Sequence, residues 1–223
     1  SAALRIMREG RVARAPFGLF AYRVDASRYL VGGAVSNAGN LHAWCLRELR
    51  LSDDPAAIEK ALAGRPLPEH GLTVLPFWSA ERAPTWDENA QGAIVGLRQS
   101  TTALDLLQAI TEGFYHRLGL IAEMIAGREQ PKWIVSGGIL KSKTALRRLA
   151  KVMGRAVYAN PEPEASLRGA AVFALEKLGL PVAEMKYGSA TRPVPSIHRA
   201  YRAERARQAR LEKILAAEGE ATG

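Results

Sequence analysis

The run Lys132-Trp133-Ile134-Val135-Ser136-Gly137-Gly138-Ile139-Leu140-Lys141-Ser142 restricts this chain more than any other stretch. Trp133, Ile134 and Val135 are strand formers with no polar face among them. Beyond Lys141, Leu146, Leu149, Ala150 and Met153 recur at helical spacing. A strand must therefore turn into a helix across two glycines. Glycines at such a corner let a ligand reach backbone that a Cβ would shield. The unpaired N–H groups at the start of the helix face the same place and attract anionic or polar groups. Two uses fit this pattern: a plain chain reversal, or a contact for a nucleotide. A Walker-type phosphate loop is excluded, because no glycine stands directly before Lys141-Ser142.

Upstream, Ala2 to Arg8 alternates as a strand, with Leu4 and Ile6 on one side and Arg5 and Met7 on the other. Leu19 to Val24 and Tyr29 to Val35 read as two more strands around the polar turn Asp25-Ala26-Ser27, so the opening predicts an antiparallel meander. Gly32 to Asn40 is a second glycine-rich passage from strand to helix, with Leu41, Trp44, Cys45 and Leu49 along one helical side. It suits phosphate or ribose, or a simple turn. Asp54 and Pro55 open a short helix to Ala63. Leu72 to Trp78 and Gly92 to Leu97 are β-prone. Between them, Ser79 to Asp87 mixes ions, proline and Trp86, so Asp87 and Arg82 form either a surface salt bridge or hold a loop at a cleft.

Thr102 to Ala126 is the longest periodic segment, with Leu104, Leu107, Ile110, Phe114, Leu118, Ile121 and Ile125 facing a core. Glu112 and His116, four apart, are expected to form a surface pair. They lack the second histidine of a metal motif, and His42, His70 and His198 have no ligand spacing, so no metal site is expected. Ala156 to Tyr158 predicts a last strand. Ala165 to Leu178 predicts a helix whose Gly169, Ala170, Ala171 and Ala174 suit close packing, stopped by Gly179 and Pro181. Tyr187 to Ser196 reads as a linker and Ile197 to Ala217 as a basic helix. The order of elements is α/β, with a mixed sheet carrying helices on both faces, as in a ribonuclease H-like half.

Charge is uneven. Between Lys186 and Lys213 eight cations face two carboxylates, so most of the formal charge of +9 lies in the tail. A solvated terminal helix is the expected reading, with nucleic acid the alternative and only Tyr187 and Tyr201 available for stacking. A single cysteine, Cys45, forbids an internal disulfide and suits a reducing cytoplasm. No run approaches the ~18 apolar residues of a membrane span, and charges interrupt residues 2–14, so neither membrane nor signal peptide is expected.

Several motifs, in order, resemble the C-terminal domain of FGGY carbohydrate kinases, within the actin/hexokinase/Hsp70 ATPase superfamily. Gly33 to Trp44 is similar to the family's phosphate-side segment. Glu81 to Asp87 is similar to its Gly-Glu-Arg-Ala-Pro-x-Trp loop, with Ala80 replacing the glycine. Gly92 to Glu112 resembles the family signature, with Thr111 at a usually apolar place. Ser136-Gly137-Gly138 with Ser142 resembles the adenosine segment, and Glu164 to Ala171 the closing helix. The resemblance divides the chain into a nucleotide-binding domain, 1–185, and a linker with a basic helix, 186–223.

This resemblance implies an ATP-dependent sugar kinase, with magnesium carried on the nucleotide. Gly137, Gly138 and Ser142 would line the adenine pocket, while Gly39 and Asn40 would face ribose or phosphates. Leu19-Phe20-Ala21-Tyr22, Glu81 to Pro84 and Glu164 to Gly169 look most like gluconate kinases, with xylulose and glycerol kinases the nearest competitors. The family's catalytic base is an aspartate shortly before a Gly-Thr-Ser turn, and its sugar pocket lies largely in the N-terminal domain. The chain starts at or after that turn, so no catalytic residue is assigned and the chain alone is expected to be inactive. Its partners would be that N-terminal domain, ATP and a sugar or sugar acid. A non-catalytic module of the same fold, gripping nucleic acid or protein through the basic tail, is the rival from another class.

Overall fold

The computed structural model describes residues 1–11, 14–65, 68–127 and 129–221, with side chains as far as residue 217. In chain order the elements are β1 (Ala2–Glu9), β2 (Phe20–Arg23), β3 (Arg28–Val35), α1 (Gly39–Glu48), α2 (Pro55–Ala63), β4 (Thr73–Leu75), β5 (Ala93–Val95), α3 (Ala103–Ala126), β6 (Trp133–Val135), α4 (Lys143–Met153), β7 (Val157–Ala159), α5 (Ala165–Lys177) and α6 (Pro195–Ala221). A 3-10 turn, Gly138–Lys141, joins β6 to α4.

The first three strands do not form the predicted meander. Their order is β1-β3-β2, with β3 in the centre and antiparallel to both neighbours. Burial explains the choice. Residues 31–35 of β3 are all buried, whereas β1 buries only alternate side chains and suits an edge. A Cβ at Gly32 would collide with the carbonyl oxygen of Leu4, so the central strand needs glycine there. The fold is α/β, and parallel and antiparallel pairs both occur. The strands fall into three small sheets, however, rather than one: β1-β3-β2, the antiparallel pair β4-β5 and the parallel pair β6-β7. The last four strands have three residues each, and β7 adds an isolated antiparallel bridge from Val157 to Thr191. Helix α3 packs on β1, β3 and β4, while Met7 and Tyr22 stay exposed on the first sheet's other face.

Helix α3 starts as its sequence dictates. Thr102 accepts from the Asp105 N–H, and the Asp105 carboxylate accepts from the Thr102 N–H, a reciprocal cap. The helix then runs between two hydrophobic clusters. One joins Val31, Val35, Ile121, Leu149 and Tyr201; the other joins Leu41, Cys45, Ile58, Leu72 and Leu107. Because both sides of the helix are covered, its polar residues are covered too.

The expected surface pair of Glu112 and His116 is therefore overturned: the two residues are 2% and 5% exposed. Glu112 takes its partners from four segments instead. Gln108 Nε2 donates at 2.9 Å, Tyr201 Oη at 2.7 Å and Arg148 Nη1 at short range, while His70 Nε2 lies 3.0 Å away. His70 Nδ1 accepts from the Leu72 N–H, so Nε2 carries the ring proton and donates to Glu112. Burial by itself would raise the Glu112 carboxyl, but the His70 hydrogen bond and the Arg148 charge outweigh it and hold the group below its ordinary value.

Helix α6 belongs to this core. Tyr201 is buried, and Gln208 donates to the carbonyls of Val74 at 2.8 Å and Gly113 at 3.0 Å. Part of its positive charge is answered internally, by Arg205 on Glu123 and Arg207 on Glu204. Helix α5 differs from expectation. It has no buried residue, its small residues 169–171 are exposed, and Leu167 is 68% exposed, because its apolar side chains are spread around the helix rather than gathered on one face. An ion pair of Arg28 with Glu176, 2.6 Å, ties it to the β2–β3 hairpin.

Two stability predictions arise from α3. Glu112→Gln leaves Arg148 buried without its counter-charge and should lower the free energy of unfolding by roughly 3–5 kcal/mol, read from urea denaturation. Burial pushes the His116 imidazole down to about 4, against ~6.5 in an unfolded chain. Below pH ~6.5 the unfolded chain takes up a proton that the folded one refuses, so stability is complete above that pH and falls on acidification towards pH 4, by at most roughly 3 kcal/mol. His116→Gln should flatten the pH 6.5 to 5 part of this loss in urea midpoints. An unchanged slope would refute the assignment.

Candidate functional site

Strand β6 ends at Val135, and the chain leaves it through Gly137, whose φ of +88° is a conformation that side chains rarely adopt. The turn is braced from behind, where Asn160 donates from its backbone to Val135 O at 2.8 Å and from Nδ2 to Ser136 Oγ at 2.9 Å. In front it is open. A Cβ at Gly137 or Gly138 would meet nothing within 4 Å. The backbone of both predicted adenine-site glycines is thus accessible.

Ser142 is the N-cap of α4, which begins after the 3-10 turn rather than directly at the glycines. Its Oγ accepts from the Ala145 N–H at 2.8 Å and donates to Glu59 Oε2 at 2.6 Å, and Glu59 Oε1 accepts from the Thr144 N–H at 2.8 Å. The start of α4 does attract an anion, as its free N–H groups imply. That anion is the side chain of Glu59, from α2. Burial would raise the Glu59 carboxyl, yet the hydrogen bonds of Ser142 and Thr144 and the nearby Arg147 charge hold it below its ordinary value. Two consequences follow for chemistry. Glu59 occupies the place a phosphate would take on α4. Ser142, its proton committed and one lone pair used, has one lone pair left and can only accept from a ligand N–H.

The second glycine-rich turn has the opposite character. Gly39 opens α1, a Cβ there would meet nothing within 4 Å, and no side chain caps this helix. Asn40 Oδ1 accepts from the Ala38 N–H at 2.8 Å and fixes the corner. No acidic residue lies in the first turn of α1, so its end is electrostatically suited to an anion in a way that α4 is not.

What holds this corner was not readable in sequence. Asn37, buried, donates to Ala80 O at 2.9 Å and accepts from the Ser79 N–H at 3.1 Å. Arg82 donates to Val35 O at 3.1 Å. Among the described residues Arg82 and Asp87 form no salt bridge, and the buried acid of this loop is Glu81. It is buried against Arg117 of α3, which donates to it through Nε at 2.7 Å and through Nη2, and against Thr85, whose hydroxyl donates at 2.6 Å. The Arg117 guanidinium also reaches Glu212 of α6 at 2.7 Å. The loop 79–87 is therefore a brace under residues 34–40. Both glycine turns border one hydrophobic cluster, which contains Val35 and Ala38 and against which Val135 and Ile139 pack.

Four of the five aspartates are committed to the backbone. Asp25 accepts from the Ser27 and Arg28 N–H groups, Asp54 from Ala56, Asp87 from Asn89 and Asp105 from Thr102, so these four aspartates hold backbone. Burial pushes the Cys45 thiol up to about 12, which rules it out as a nucleophile. Among the described residues no group of three or more His, Cys, Asp or Glu could hold a metal ion, and no helix is long and apolar enough to cross a membrane.

Comparison with known proteins adds to this geometry. Residues 5–177 match the model of the FGGY family of carbohydrate kinases, C-terminal domain. The glycerol kinase of Alteromonas mediterranea is 30% identical over 69% of this chain and 31% of its own length. The gluconokinase of Bacillus subtilis is 25% identical over 72% of this chain and 34% of its own. The chain thus spans about a third of the length of these curated relatives. The xylulose kinase of Lactobacillus acidophilus superposes with a TM-score of 0.84 at 24% identity, covering 99% of this chain and 47% of that one, and shares the fold.

Proposed function

This chain belongs to the FGGY family of carbohydrate kinases, and we propose that it is the nucleotide-binding half of an ATP-dependent enzyme that phosphorylates a hydroxyl of a sugar or sugar acid. The observation that carries this reading is the pair of open glycine turns at 36–40 and 136–142, bare of covering side chains at Gly39, Gly137 and Gly138. Adenine lies along Gly137-Gly138, and the free lone pair of Ser142 accepts from its exocyclic amine. Guanine presents a carbonyl at that position and finds no donor, since the Ser142 proton is held by Glu59. The phosphates run towards Gly39 and Asn40 at the uncapped end of α1, with magnesium arriving on them as part of the substrate.

Transfer of the γ-phosphoryl group is mostly positioning and charge neutralisation, together with a base that takes the hydroxyl proton. We assign that base, and most contacts to the acceptor, to an N-terminal domain of the same kinase, as the family resemblance implies; here the aspartates at 25, 54, 87 and 105 are committed to backbone, and Asp53 is exposed beside the cap of α2. A general base is worth roughly 10²–10⁴ in rate, so this chain alone should not turn over. Gluconate is the proposed acceptor, on the likeness of residues 19–22, 81–84 and 164–169 to gluconate kinases. Relatives named glycerol kinase and xylulose kinase make glycerol and xylulose the competitors to assay beside it.

The reading is tested by calorimetric titration of nucleotides. ATP should bind at least about tenfold more tightly than GTP, the worth of one hydrogen bond made and one acceptor clash avoided. Glu59→Ala, which frees the Ser142 proton, should bring the two affinities together. A Cβ at Gly138 meets no protein atom within 4 Å, so Gly138→Val should unfold close to the wild-type midpoint while losing at least about tenfold in ATP affinity. A well-folded Gly138→Val with full ATP affinity would remove adenine from this turn.

A further inference from the structure

A cavity of about 110 Å³ opens where the end of α2 meets α4 and α6, past Ser142 along α4. Arg65, Thr144, Arg147, Arg148, Lys151 and Tyr201 line it, so four cations converge on one small space. Two of them are answered by carboxylates. Arg148 binds Glu112 through Nη1 and donates from Nη2 to the carbonyls of Leu62 and Arg65, each at 3.0 Å, and Arg65 binds Asp105. Arg147 and Lys151 make no ion pair among the described residues. Burial, and then the charges of Arg148 and Arg147, push the Lys151 ammonium below its ordinary value, which marks the space as electropositive.

Like charges this close repel, and more strongly where water is partly excluded. Arg147 is exposed, and its charge acts on Glu59 from outside the hydrogen bonds that hold α4 to α2. Among the described residues Arg147 is answered only at a distance, by Glu59, and Lys151 by no paired carboxylate, so a dianion would neutralise the excess positive charge. The volume fits a group of a few heavy atoms and is well below the roughly 300–1,000 Å³ of pockets that enclose a whole organic ligand. We propose that this cavity binds a phosphoryl-sized dianion, either inorganic phosphate or the phosphate end of a phosphomonoester, held by Arg147 and Lys151 with Arg65 and Arg148 behind them. The site is separate from the two glycine turns and does not depend on their assignment. Its occupant would bridge α2 to α4, the helices that also share the contact of Glu59 with Ser142.

Titration calorimetry of the full chain with inorganic phosphate and with glucose 6-phosphate, against sodium chloride at matched ionic strength, tests the proposal. At least one of the two phosphate probes should bind with a submillimolar dissociation constant and raise the thermal unfolding midpoint. Equal affinities identify inorganic phosphate as the ligand, and a preference of about tenfold or more for glucose 6-phosphate identifies an ester. Arg147→Gln/Lys151→Gln, and Arg147→Gln alone at its exposed position, should keep the wild-type circular dichroism, with the double variant losing at least about tenfold in affinity. A saturating non-hydrolysable ATP analogue should leave phosphate binding intact. Heats no larger than those of the chloride control, undiminished binding in the double variant, or displacement by the ATP analogue would each overturn the proposal.

Discussion

A carboxylate sealed in a protein interior must be surrounded by donors, and Glu112 meets this condition with groups from four separate parts of the chain. Every donor it collects fixes an element. His70 places the approach to β4, Arg148 places α4, Tyr201 places α6, and Gln108 belongs to α3 itself. Arg148 passes the constraint on, because its remaining N–H groups hold the last residues of α2 and those just beyond. Five residues along α3, Arg117 works in the same way between Glu81 and Glu212. Its reach is to the loop under residues 34–40. Both glycine turns therefore take their positions from one helix: 136–142 through Glu112 and α4, and 36–40 through Arg117 and the loop 79–87. Truncating either partner would leave a buried charge exposed to a low dielectric, which is why these nodes resist drift.

What could be read from the sequence was local. The Thr102 to Ala126 helix, the Asp54 cap and the alternation of β1 each depend on residues within a few positions, where spacing and side-chain chemistry suffice. The openness of Gly137 and Gly138 was legible for the same reason. Whatever depended on distant pairing was not. The order β1-β3-β2 is decided by which strand is covered on both sides, and that depends on α3, some seventy residues later. Glu112 and Arg117 look like the outer face of an amphipathic helix, since apolar periodicity cannot report a second covering layer made of polar groups. In α6 the arginines dominate the composition and hide an inward row, Tyr201, Glu204 and Gln208, spaced at three and four.

The two helix starts differ in charge although their local sequence logic is nearly the same. Each follows a strand and glycines, and each has the partial positive charge of a helix N-terminus. At α4 that charge is already answered by Glu59, which also takes the Ser142 proton. At α1 nothing answers it, for the N-cap is Ala38 and the first turn has no acid. A phosphate placed at α4 would have to displace a carboxylate held by two hydrogen bonds and would then face its charge. At α1 it would meet open backbone. On the proposed assignment of the two turns, this difference in charge would orient a nucleotide with its base towards 137–142 and its phosphates towards 39–40. The orientation follows from Glu59, a residue outside every motif that marks the site.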